Sequence, residues 1–178
     1  MLVILVVLLA FVTMSWWMPS DLYRVFLYPG GKPNAFARRL NRLSDWASSM
    51  GVAPSLMVSL ETRGRRTGKN SRVPLVVAQL GASRYLVSML GETAHWVQNV
   101  RASRGEALLR HGVIEPVRLV EVAVSERAPI LREYLRRAPG ARPHFKVGVG
   151  ASLEEFASVA SSYPVFLIFP TQKKPDHL

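Results

Sequence analysis

Between residues 56 and 169 the apolar positions fall in short runs rather than long ones. The segments LMVSLET (56–62), VPLVVAQL (73–80) and RYLVSML (84–90) each have the length and β-branched content of a strand. The second and third are separated by Gly81, Ala82 and Ser83, which predicts a hairpin. Residues 107–111 and 117–124 predict another strand pair joined around Gly112, and residues 165–169 a last strand. Helical spacing is confined to a few places. In residues 35–50, Phe36, Leu40, Leu43, Trp46, Ala47 and Met50 form one stripe, with Trp46 expected in the core and Arg38, Arg39, Arg42 and Asp45 on the other faces. Residues 95–103 predict a short helix closed before Gly105, and residues 126–137 a helix that admits Pro129 near its first turn. Ser152 with Glu155 three residues later has the form of a capping box, opening a helix to about residue 161. Many short strands with few helices predict a small α+β fold: a mostly antiparallel barrel with peripheral helices. The strands do not alternate with long helices, which disfavours a doubly wound sheet.

The N-terminus has a different pattern. Residues 1–18, MLVILVVLLAFVTMSWWM, are uncharged, and only Thr13 and Ser15 are polar. As a helix they would be about 27 Å long, close to the roughly 30 Å of a bilayer core. Trp16 and Trp17 suit a membrane interface, and the first basic residues, from Arg24 onward, follow the run, which would keep the body of the protein on the cytoplasmic side of the plasma membrane. A buried core element or a start assigned too far upstream are the alternatives. Pro19, Pro29, Gly30, Gly31 and Pro33 mark a connection. The expected organisation is a hydrophobic segment at 1–20, a linker at 21–34, one domain at 35–170 and a polar tail at 171–178.

Composition narrows the chemistry. The 178 residues contain no cysteine, which excludes disulfides, thiolate metal sites and cysteine nucleophiles. The four histidines (His95, His111, His144 and His177) show no common zinc spacing, so no metal site is expected. A net charge of +11 favours an anionic partner.

That charge is densest in ETRGRRTGKNSRVPL, residues 61–75, between two strand candidates. Arg63, Arg65, Arg66, Lys69 and Arg72 fall within ten positions, Gly64 and Gly68 allow tight turns, and Thr67 and Ser71 add hydroxyls. Guanidinium forks, a lysine point charge and exposed amides could surround a phosphate. A solvated hairpin loop is the plainer reading. The spacing is neither a Walker A loop nor a GxGxxG fingerprint. Nucleic acid is not the expected partner, because aromatics interleaved with the basic residues are sparse.

GRRTGKNSRVPL, followed by RYLVSMLG and HWVQNVRAS, resembles the deazaflavin-dependent nitroreductase family among the split β-barrel flavin and deazaflavin oxidoreductases. That family shows a G-(R/K)-(R/K)-(S/T)-G-x-P-R-x-x-P-L run and a W-x-x-N-L-x-A segment, and the resemblance spans roughly residues 35–170. It implies a split barrel that binds coenzyme F420, with FMN as the alternative, and transfers a hydride to a small hydrophobic acceptor such as a quinone or nitroaromatic. A binder without turnover is the rival. By this resemblance Arg65, Arg66, Thr67, Gly68, Lys69 and Arg72 grip the phosphate and acidic tail. Pro74 and Leu75 border the deazaflavin, Ser88 and Met89 run past it, and Trp96 and Asn99 fix the pocket wall. The cofactor carries the chemistry, so no catalytic side chain is expected. His144 is a candidate on the substrate side, and a homodimer would match related barrels. Asn70 and Ser71 depart from the family's Pro-Arg, Leu90 from a lysine of some members, and Val97 from a frequent tyrosine.

Overall fold

A computed structural model describes residues 34–49 and 56–171. The apolar segment at 1–18, the linker to residue 33 and residues 172–178 of the tail lie outside the described residues. Among those described, no helix is long and apolar enough to cross a membrane.

Six strands close into an antiparallel barrel in the order β1-β2-β3-β6-β5-β4. They are β1 (Met57–Arg63), β2 (Asn70–Leu80), β3 (Ser83–Val87), β4 (Glu106–His111), β5 (Val113–Glu121) and β6 (Val165–Pro170). Among the described residues four α-helices lie around it: α1 (Ala35–Ser49), α2 (His95–Ala102), α3 (Arg127–Arg137) and α4 (Leu153–Val159). This is the α+β barrel with peripheral helices that the run lengths predict. Two strands extend further than their apolar runs. β2 starts at Asn70 because Arg63 pairs with Asn70 and carries the ladder almost to the turn. β5 starts at Val113 because His111 pairs directly with Val113 across Gly112. The added residues, polar in β2 and including the exposed Val113 and Ile114 in β5, gain backbone pairing without burial.

Alternation divides the barrel into two cores. Inward-facing Leu60, Leu86, Leu109 and Phe166 meet inside, and Trp96, Val97 and Val100 of α2 plug one end. Each fully buried leucine contributes about 2 kcal/mol by loss of apolar surface. Outside, Ala78, Val87 and Val165 are covered by Leu131, Leu135 and Phe156 of α3 and α4. The capping box forms as expected: Ser152 and Glu155 exchange side-chain to backbone bonds at 3.2 and 2.8 Å. The guanidinium of Arg127 is buried beneath this layer. It donates to the carbonyls of Val122, Ala160 and Tyr163 and to Glu121, tying the end of β5 to the start of β6.

Helix α1 lies across β1, β2 and β4. Trp46 departs from its expected place in the core: it is 48% exposed. Asp45 takes the inward position, accepting a hydrogen bond from the Ser59 hydroxyl of β1. At roughly 100° per residue, the next side chain is turned outward.

Candidate functional site

The basic loop is a six-residue connection between β1 and β2 whose backbone closes on itself. Gly64 N–H donates to the Lys69 carbonyl and Gly68 N–H to the Gly64 carbonyl, both at 2.8 Å. Gly68 has φ +66°, and a Cβ on Gly64 would lie 2.9 Å from the Lys69 carbonyl, so both turns require glycine. The Thr67 hydroxyl accepts from Lys69 N–H at 3.3 Å.

A second element aims the loop. Asn99 of α2 is buried, and its Oδ1 accepts from both the backbone N–H and the Nη1 of Arg65, each at 3.2 Å. Its Nδ2 donates to the Thr62 hydroxyl at 3.4 Å. The W-x-x-N segment therefore does two jobs from two faces. Trp96 enters the barrel core, edge-on to Phe166 with ring centres 5.4 Å apart. Asn99 holds Arg65. All four side chains are exposed, but Arg65 and Thr67 have partners within the protein, whereas the side chains of Arg66 and Lys69 have none among the described residues.

Arg72 stands in β2 rather than in the loop, and its position is set by a carboxylate that sequence reasoning passed over. Glu61 is 3% exposed, and its Oε2 accepts from Arg72 Nε and Arg110 Nε at 2.8 Å each. Its Oε1 accepts from Asn70 Nδ2 at 3.0 Å. Asn70, a departure from the family pattern, thus joins this cluster. The available signal was a carboxylate inside the apolar run LMVSLET, at the register position facing Arg72. Burial alone would raise the Glu61 carboxyl, but the guanidiniums of Arg72 and Arg110 outweigh it and hold the carboxyl below its ordinary 4.5. Glu61→Gln should cost about 2 kcal/mol at neutral pH, reduced by the exposure of Arg72. A folded-state pKa below the unfolded one stabilises above about pH 4.5 and loses that effect as pH falls through the folded value. Urea midpoints of the two proteins should therefore converge as the pH is lowered below about 4.5; a constant gap would contradict this.

Beyond Arg72, β2 presents an open edge. Val77 N–H donates to the Leu56 carbonyl at 2.8 Å, so odd-numbered residues of β2 turn their backbone groups to β1 and even-numbered ones turn away. β3 meets β2 only from Val77 to Leu80. The outward backbone groups of Asn70, Arg72 and Pro74 therefore have no strand opposite among the described residues. Pro74, with no N–H to donate, occupies an edge position that tolerates it. Continued past its last pair, the register sets Ser88 level with Leu75 and Met89 level with Pro74. Side chains alternate too. Arg72 and Pro74 face outward into a cleft of about 430 Å³ shared with Arg38, Arg42 and Asp45 of α1, with Val73 also at its wall. Leu75 packs against the barrel interior instead, away from Pro74.

The expected site residues thus fall into distinct groups. Arg65, Arg66, Thr67, Gly68, Lys69 and Asn99 meet at the loop, while Arg72 and Pro74 meet at the cleft. Ser88 is buried, and its hydroxyl donates to the Gly91 carbonyl at 2.8 Å. Met89 is half-buried against the outer core, and Leu75 and Trp96 contribute to the inner one. His144 lies at the end of a 3₁₀ turn, where its carbonyl accepts from the Tyr163 hydroxyl at 3.0 Å and the neighbouring Phe145 stacks on Tyr163. The arginines of α1 were legible only as a basic helix face. No group of three or more histidine and carboxylate side chains among the described residues could hold a metal.

The F420H(2)-dependent quinone reductase family matches residues 37–146. Among solved structures, the chain is similar to one described as an F420-H2 dependent reductase, FDR-A, at 20% identity and TM-score 0.43, covering 65% of this chain and 95% of that one. It is also similar to a chain described as a domain-swapped dimer (17% identity, TM-score 0.47, 75% and 96% covered). A third likeness is to a putative pyridoxamine 5'-phosphate oxidase from Listeria innocua (12%, 0.45, 66% and 85%). No curated protein matches.

Proposed function

The chain belongs to the F420H(2)-dependent quinone reductase family, and from that premise we propose that it binds reduced F420 and passes a hydride to a quinone or nitroaromatic acceptor. The observation that carries this reading is the division of labour in the basic loop. Its backbone is closed on itself and Arg65 is held by Asn99, so Arg66 and Lys69 are left to reach a ligand. Side chains without internal partners on a fixed loop suit a phosphate, because little ordering is needed when it binds. The open edge of β2 lies on the strand leading out of that loop, with Pro74 on it. A flat heterocycle could rest there, and its polar rim could meet the outward backbone groups of Arg72 and Pro74.

A bound reduced deazaflavin supplies the hydride. The chain's own residues bind, orient and shield. Arg66 and Lys69 hold the anionic end, and Asn99 keeps Arg65 and the loop in place. Glu61 fixes Arg72 at the mouth of the cleft, and Pro74 offers a rigid apolar surface.

Titration of the purified protein with F420 and, separately, with FMN tests the reading. Saturable perturbation of the F420 visible band, with a weaker response or none from FMN, is the expected result. Binding of FMN alone would reassign the cofactor, and binding of neither would remove the proposed activity.

A further inference from the structure

The cleft between α1 and β2 is a second cationic station, separate from the loop. Its walls carry three guanidiniums (Arg38, Arg42 and Arg72) and one carboxylate, Asp45, which accepts a hydrogen bond from the Ser59 hydroxyl, so positive charge is in excess on the lining. Arg72 is fixed through its Nε to Glu61 and remains 47% exposed. Arg38 and Arg42 are one helical turn apart, so they share a face of α1. Val73 and Pro74 supply the apolar wall. The volume, about 430 Å³, is within the range of small-molecule pockets and exceeds what a bare anion needs. A flat, mainly apolar molecule that carries or acquires negative charge matches this lining.

We propose that this cleft is the acceptor subsite, and that Arg42, with Arg38, holds the oxyanion that hydride transfer creates on a quinone. The inference rests on the reading of the chain as a reductase. In that step the carbon–hydrogen bond of the reduced deazaflavin breaks, and its electron pair and hydrogen pass to the quinone. The donor is oxidised by two electrons, the quinone becomes a hydroquinone monoanion, and a proton from water then completes the product. Negative charge thus appears on a quinone oxygen during the transfer. Cations lining the cleft act most strongly where that charge develops.

The test uses full-length protein in neutral detergent, without cofactor, titrated with 2-hydroxy-1,4-naphthoquinone, which is anionic at neutral pH. Trp46, exposed one turn beyond Arg42 on α1, provides a fluorescence signal near the cleft. Saturable quenching is expected. The double substitution Arg38→Gln with Arg42→Gln should weaken it about tenfold or more, and Arg42→Lys should recover part of the loss relative to Arg42→Gln. In turnover with a neutral naphthoquinone, Arg42→Gln should lower kcat while the Kd for F420 stays within about twofold. Naphthoquinone binding that is unaffected by the double substitution would overturn the proposal. So would a tenfold loss of F420 affinity in Arg42→Gln, because the cleft would then hold the cofactor's own acidic tail. If wild-type protein fails to bind F420, the reductase reading fails, whereas the anion titration still reports on the cleft.

Discussion

A chain carrying Arg66→Ser and Lys69→Ser should bind F420 about thirtyfold more weakly than the wild type, with an unchanged melting temperature. Each side chain offers a charge-assisted hydrogen bond to phosphate, ordinarily worth roughly 1.5–3 kcal/mol. Solvent exposure reduces that, so about 1 kcal/mol each, or about 2 kcal/mol together, is the reasonable expectation, and every 1.4 kcal/mol is about tenfold. The folded state should not respond, because neither side chain has a protein partner among the described residues. Wild-type affinity should fall as salt is raised and the variant's should fall less, because exposed charges are screened. Equal Kd values for the two proteins would show that the loop is a solubilising feature and not a clamp.

The largest effect on stability is expected at Gly105. This residue follows α2 with φ +88°, and a Cβ there would lie 2.3 Å from the Leu119 carbonyl oxygen of β5. Its own carbonyl accepts from Leu119 N–H at 2.8 Å, and its N–H donates to the Val100 carbonyl at 2.8 Å. Gly105→Ala therefore adds left-handed strain of about 1–2 kcal/mol to a clash with backbone that cannot rotate away. Relieving the clash would break the bond to Leu119, worth about another 1 kcal/mol. A total of about 3 kcal/mol or more is a large part of the roughly 5–15 kcal/mol that holds most domains together. Gly81→Ala is the control: φ there is +60°, but nothing lies within 4 Å of the added carbon. It should cost only the strain. Thermal or urea unfolding of both variants separates the two terms, and similar losses would refute the steric account.

The sequence was most legible where one local rule decides the outcome. The six strands, the capping box at Ser152 and the helix from Arg127 follow from run length, spacing and end signals. The basic loop was visible as composition, and the split between engaged Arg65 and outward Arg66 and Lys69 was not. That split depends on Asn99, 34 residues further on, reaching across the fold. Glu61 was hidden because an acidic residue in a strand looks like its solvent face until the paired strands bring Arg72 and Arg110 to it. Arg127 was hidden for a similar reason: nothing local distinguishes it from Arg132 or Arg136 on the same helix. Trp46 shows the converse error. Helical spacing identified a stripe, but the inward position went to Asp45 because β1 offered it the Ser59 hydroxyl.

The amide of Asn99 has one more implication. The helix that presents it is seated by Trp96, Val97 and Val100 inside the barrel. The aim of the cationic loop is therefore inherited from the packing of the barrel's plug. Attempts to retune ligand preference have freedom at Arg66 and Lys69, where nothing else leans on the side chain. Redesign of the barrel interior has no such freedom, because any repacking that tips α2 also swings the loop.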